Sequence, residues 1–291
     1  MHSVIYLFFG LCLATPPLSA APNALGERKV FGVSLRWESE SKEVDAALTE
    51  KIKKYESEFR ESMDPDCRWR KREKNGECRN RFSEQTKQLE AIAEVIKKET
   101  LGVYEITHKG KDGITRRDFD GLSQGYFLNK LKGEVKDPWM ADFAGDIFVA
   151  PKLKTSKPLT VGDPLIASVN YATVDMPGGG WMIMSAGRAL GAKLRNPKSD
   201  KPDDVDGAPK EDYQLIVVFA RPDFDGARVD AWATAIVAGG KEVLEHLWQI
   251  KDYQDQWAYF GFTADSIPFQ SKNVEFSEKD GKRTVKIPFW K

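Results

Sequence analysis

The chain is poor in the residues on which most acid–base and metal chemistry depends. Its 291 residues include three histidines and three cysteines. Beyond the first 20 residues only His108, His246, Cys67 and Cys78 remain. No Cys/His grouping has zinc-ligand spacing, and Cys67 and Cys78 are too far apart for a CxxC redox pair. A P-loop, a GxGxxG fingerprint and an HExxH helix are all absent. In WMIMSAG, Ser185 lacks the first glycine of a G-x-S-x-G elbow, because Ile183 stands there. That weakens a serine hydrolase built on Ser185 and His108. His246 lies in EVLEHLWQI, at the edge of an apolar stripe, and reads as a packed helix residue. Net charge is absent too, with 44 basic and 44 acidic residues. Global attraction to nucleic acid or an anionic membrane is therefore excluded. No Asn-x-Ser/Thr sequon occurs, which favours a bacterial exported protein over the eukaryotic secretory route. No cofactor and no metal is expected.

What is present starts with an apolar run. Val4 to Ala14 carries no charge and is shorter than the roughly 20 residues a membrane helix needs. Pro16, Pro17 and small residues follow. This is the pattern of a secretory signal peptide over residues 1–20, cut after Ala20. No later segment is apolar enough to span a bilayer, so a soluble secreted or periplasmic protein is expected. In such an oxidising space, Cys67 and Cys78 should form one disulfide.

Residues 30–37, VFGVSLRW, alternate apolar and polar and predict a strand. Ser39 or Ser41 can cap the helix that follows, in which Val44, Ala47, Leu48, Ile52, Tyr55 and Phe59 form one stripe. A second helix is expected over about 79–99, ended by Gly102. Joined by a short connection, the two should form an antiparallel hairpin tipped by the cysteines. Closing that loop is worth roughly 3 kcal/mol in the chain-entropy model. Strands dominate afterwards: 103–108 and 114–119 as a hairpin, then 147–150, 165–174, 214–220, 229–237, 257–263 and 284–289. One helix, 240–250, interrupts them. Pro288 suggests that the last strand is an edge. The polar stretch 193–212 reads as a loop. The fold class is α+β, a mainly antiparallel sheet or sandwich with a disulfide-closed helical hairpin. The organisation is signal peptide 1–20, N-terminal strand 21–40, hairpin insertion 41–100 and β-rich domain 101–291.

The densest local feature is CRWRKREKNGEC at 67–78. From Cys67 to Arg81 there are seven basic and two acidic residues, a net of +5. Arg68, Trp69, Arg70, Lys71, Arg72, Lys74, Arg79 and Arg81 could grip a polyanion by charge and stacking. A solvated helix tip is the ordinary reading of such a run. DFDG occurs at 118–121 and again at 223–226. Aligned on calcium-loop positions both fail, as does the acidic run Asp203, Asp204 and Asp206, so turns are expected. Glu38, Asp142, Asp146, Glu245 and Glu275 are candidates for a carboxylate pair but too many to rank. Trp181, Trp232, Trp248, Trp257, Tyr259, Phe260 and Trp290 are aromatic enough for sugar stacking, though a core is the commoner use. These features point to a non-enzymatic exported binding protein with an unidentified protein or anionic polymer as partner. The alternative is a hydrolase of envelope polysaccharide using two carboxylates.

Overall fold

The computed structural model describes residues 24–59, 84–109, 115–117, 119–136, 138–151, 153, 159–162, 170–175, 180–187 and 213–287. Residues 1–20, expected as a leader, the cysteines, every residue of the basic run and the stretch 193–212 lie outside them. No disulfide occurs among the described residues, and the expected Cys67–Cys78 bridge falls outside them.

The fold is α+β with a mostly antiparallel sheet and four α-helices among the described residues. The main sheet has eight strands: β1 (Ala24–Val30), β2 (Val33–Ser39), β5 (Trp139–Phe143), β6 (Asp146–Val149), β9 (Trp181–Gly187), β10 (Tyr213–Ala220), β11 (Trp257–Thr263) and β12 (Pro268–Gln270), in that spatial order. Each neighbour pair in it is antiparallel. A second sheet orders β13 (Glu275–Lys279), β14 (Lys282–Lys286), β8 (Asn170–Asp175) and β7 (Leu159–Gly162). Its β14–β8 contact is parallel. A small ribbon pairs β3 (Thr107–Lys109) with β4 (Thr115–Arg117). The helices are α1 (Lys42–Phe59), α2 (Glu84–Glu99), α3 (Asp120–Glu134) and α4 (Gly226–Trp248). None of them is long and apolar enough to cross a membrane.

Strand β10, YQLIVVFA, shows how the layers stack. Ile216, Val218 and Ala220 join the core shared with the helices, while Leu215, Val217 and Phe219 join the core shared with the second sheet. A strand covered on both faces has no polar side to show, hence its unbroken apolar run. The main sheet is thus the middle of three layers.

Several sequence expectations change here. The strand expected over 30–37 is broken by a two-residue turn, because Phe31 and Gly32 both adopt positive φ and Val30 pairs with Val33. Such a turn matches the twist of a tight hairpin. Ser41, not Ser39, caps α1, accepting from Val44 N at 3.2 Å. Residues 120–134 form a helix where none was expected. Residues 229–237, read as a strand, are the first half of α4, and Gly240 (φ 69°) joins that half to the helix expected over 240–250. The last strand ends at Lys286, before Pro288, and lies inside its sheet between β13 and β8.

Candidate functional site

Both DFDG tetrads lead into helices rather than strands, and the two helices meet. Asp225 is the N-cap of α4, its Oδ1 accepting from Ala227 N at 3.1 Å. Asn129 of α3 ties the two elements together. Its Nδ2 donates to Asp225 Oδ1 at 2.5 Å, and its Oδ1 accepts from Gly226 N at 3.0 Å. Lys132 Nζ donates to the Phe224 carbonyl at 2.8 Å. Burial lowers the pKa of that ammonium, against the pull of Asp225 and Asp223. The backbones touch where Gly125 faces Gly226. A Cβ on Gly226 would lie 2.7 Å from the Gly125 carbonyl oxygen, and a Cβ on Gly125 would overlap the Gly226 carbonyl. Only glycine allows this approach.

One turn further along α4, and on strand β6, lie two buried acids. Asp230 of α4 is 4 % exposed and Asp146 of β6 is 3 % exposed. Asp230 Oδ2 accepts from Gly125 N at 3.0 Å, and Asp146 Oδ1 accepts from Ser185 N at 3.0 Å. Burial raises both carboxyl pKa values. Asp230 is pushed up to about 7, by burial first and then by Asp120. Asp146 is raised well above the usual range, by burial first and then by Asp230 and Asp142. Burial and the nearby Asp230 charge both favour the protonated form of Asp146. Beside them α3 begins. Its N-cap, Phe119, makes no side-chain capping bond. A Cβ on Gly121 would lie 2.8 Å from Thr234 Oγ1, so this hydroxyl, one turn beyond Asp230, stands against the helix start.

Of the five acids singled out from sequence, Asp146 enters this site. Asp142, half-buried, accepts from Gly145 N at 2.8 Å in the β5–β6 turn. Glu38 is buried in β2, while Glu245 and Glu275 are exposed. Ser185 contributes its backbone N–H rather than a nucleophile, His108 has its side chain outside the described ones, and His246 is half-buried in the last turn of α4. Trp181, Trp232, Trp257 and Phe260 are buried core; Trp248 and Tyr259 are partly buried beside it; Trp290 lies outside the described residues. Asp230, Thr234 and Asp120 were not singled out. The usable signal was a carboxylate in the middle of an apolar run, as in RVDAWATAIVA and GDIFVA, because buried acids are rare. Among the described residues no group of three or more His, Cys, Asp or Glu gathers to hold a metal ion.

No family model matches the sequence, and no curated protein matches it. Solved structures do share its fold. The ApbE protein of Thermotoga maritima is similar at TM-score 0.59 and 14 % identity, over 86 % of this chain and 97 % of that one. The flavin transferase ApbE of Vibrio cholerae is similar at TM-score 0.59 and 10 % identity, over 87 % and 98 %. The apo flavinyl transferase ApbE of Pseudomonas stutzeri is similar at TM-score 0.56 and 12 % identity, over 88 % and 98 %. The likeness is one of fold, and it spans these proteins almost end to end. It overturns the expectation of a non-enzymatic binding protein. It also overturns the alternative of a polysaccharide hydrolase, since the shared fold is that of enzymes that move flavin.

Proposed function

We propose that this chain is an exported flavin-handling enzyme of the flavin-transferase kind. The observation that carries the reading is the near-complete overlap with solved flavin transferases, 98 % of the length of each. The local geometry supports it. The start of α3 has no side-chain cap, Gly121 presents no side chain there, and the Thr234 hydroxyl stands alongside. The positive end of a helix dipole, with a hydroxyl donor beside it, fits the phosphate end of a flavin nucleotide. Bound there, the nucleotide would supply the flavin group to be moved. Asp230 holds α3 against α4 through Gly125 N, which fixes the position of that helix start. Burial raises the pKa of both Asp146 and Asp230. The leader expected over residues 1–20 would deliver this activity outside the cytoplasm.

The test is direct. Purified chain lacking residues 1–20 is titrated with FAD and with FMN in the presence of magnesium, because diphosphates bind as magnesium complexes. Saturable quenching of flavin fluorescence is expected, weakened by Thr234→Val. Incubation with an acceptor protein should leave flavin fluorescence on the denatured acceptor band. A chain that neither quenches flavin nor labels any acceptor is not a flavin transferase.

A further inference from the structure

The helix layer contains a second polar cluster, away from the acid pair. Trp232 of α4 is fully buried, and its Nε1 donates to Glu99 Oε2 at 3.0 Å. Tyr253, half-buried just beyond α4, donates its hydroxyl to Oε1 of the same carboxylate at 3.3 Å. The two rings lie 5.5 Å apart. Arg228 Nε donates to Glu99 Oε2 at 3.1 Å, and its guanidinium stands 4.9 Å over the Tyr253 ring. Glu99, at the end of α2, keeps its side chain only 12 % exposed. A second row of rings leaves Trp232 through Trp257 at 5.2 Å to Trp248 at 5.1 Å. Packing alone would be served by Phe or Leu at these positions. Here two oxidisable side chains give their protons to one buried carboxylate.

We propose that Trp232, Glu99 and Tyr253 form a proton-coupled relay that carries a one-electron oxidation from the interior of α4 to Tyr253. The oxidant is a one-electron acceptor, such as a photoexcited flavin or a ruthenium(III) polypyridine, and it is reduced by one electron. Trp232 loses that electron, and its Nε1 proton moves to Glu99. The neutral indolyl radical then takes an electron from Tyr253 and recovers a proton from Glu99 Oε2. The Tyr253 hydroxyl proton moves to Glu99 Oε1. The products are a Tyr253 phenoxyl radical, a protonated Glu99 and the reduced oxidant. Arg228 orients the carboxylate for both transfers, and burial keeps the Tyr253 hydroxyl protonated beforehand. The relay goes beyond the flavin reading and does not depend on it, because its test supplies the oxidant from outside.

The experiment is flash photolysis of the full chain with tris(bipyridine)ruthenium(II) and a cobalt(III) quencher, followed by transient absorption. In the native chain an indolyl radical should form first and give way to a phenoxyl radical. Tyr253→Phe keeps the ring packing and should lengthen the indolyl lifetime about tenfold while the phenoxyl yield falls. Glu99→Gln removes a charged hydrogen-bond acceptor and should slow indole deprotonation about tenfold. If Tyr253→Phe leaves both the indolyl lifetime and the phenoxyl yield unchanged, the radicals form elsewhere and the relay is wrong. Should Glu99→Gln fail to fold, Tyr253→Phe decides alone.

Discussion

The two faces of the main sheet are built from the same strands and hold together differently. Toward the second sheet, Ile147, Ile183, Val217, Phe260 and Phe262 meet Val161, Val174 and Val285 in an apolar contact. Toward the helices the packing is equally buried but includes the Asp146–Asp230 pair and two glycines in backbone contact. The first face needs volume. The second needs the absence of volume at Gly125 and Gly226, and a proton on the acid pair.

The comparison can be broken at four places. The largest effect should come from Phe260→Ala on the sandwich side. Phe260 is fully buried, 5.1 Å from Phe262 and 5.6 Å from Phe276 by ring centroid. Removing its ring should cost about 3–5 kcal/mol by denaturant unfolding. On the helix side the damaging change is addition. Gly125→Ala should cost about 3 kcal/mol, because a Cβ meets carbonyl backbone that cannot turn aside. A fall in Tm of about 6–12 °C would follow. A neutral Gly125→Ala would show that α3 and α4 can separate, and the contrast between the faces would fail.

Third comes the acid pair, with its sign. The folded-state pKa of Asp230 is raised to about 7 from an ordinary 3.8. The folded chain therefore holds a proton that the unfolded chain has lost, and stability falls as pH rises through that window. Asp230→Asn should gain stability over the native chain as pH rises from about 4 to about 8, and be no different at about pH 3. Asp146→Asn should behave alike, because burial is the first cause of its raised pKa too. Thermal melts across pH measure this. A gain that ignores pH would mean that Asp230 does not take up a proton on folding.

The smallest effect should come from the surface. Glu134 of α3 is held down at about 2 by hydrogen bonds from Tyr55 and then Lys51, the latter at 2.9 Å. Its contribution is present above pH 4.5 and is lost as pH falls toward 2, opposite in sign to the acid pair. Glu134→Gln should cost less than about 1 kcal/mol at neutral pH, since the pair is solvent-screened. A larger loss in acid-to-neutral melts would show that this contact bears more of the α1–α3 packing than its exposure suggests.

Legibility followed burial. Helix α1 shows its stripe because only one side is buried, with Leu48, Ile52 and Tyr55 inward and lysines outward. Strands β10 and β11 were readable from their apolar runs. Helix α3 was not, because Leu122, Ser123, Gly125, Tyr126, Phe127, Leu128 and Leu131 are buried around it and leave no contrast of faces. The first half of α4 failed for the same reason: VDAWATAIVA is apolar on all sides and was taken for a strand. Asp230 was hidden inside that misreading. Asp146 was visible only as one acid among five. Their pairing joins residues 84 positions apart, a distance no local pattern spans.

From the sequence by itself came the class of the molecule: a leader-like start, amphipathic helices near the N-terminus, buried strands, and no classical catalytic motif. Periodicity against solvent determines these, and it is a local property. Tertiary structure decided which faces meet: α3 against α4 at Gly125 and Gly226, and Asp230 beside Asp146. Burial in a shared interior gives those two ordinary aspartates their proton, and that environment exists only once strand, helix and sheet are assembled.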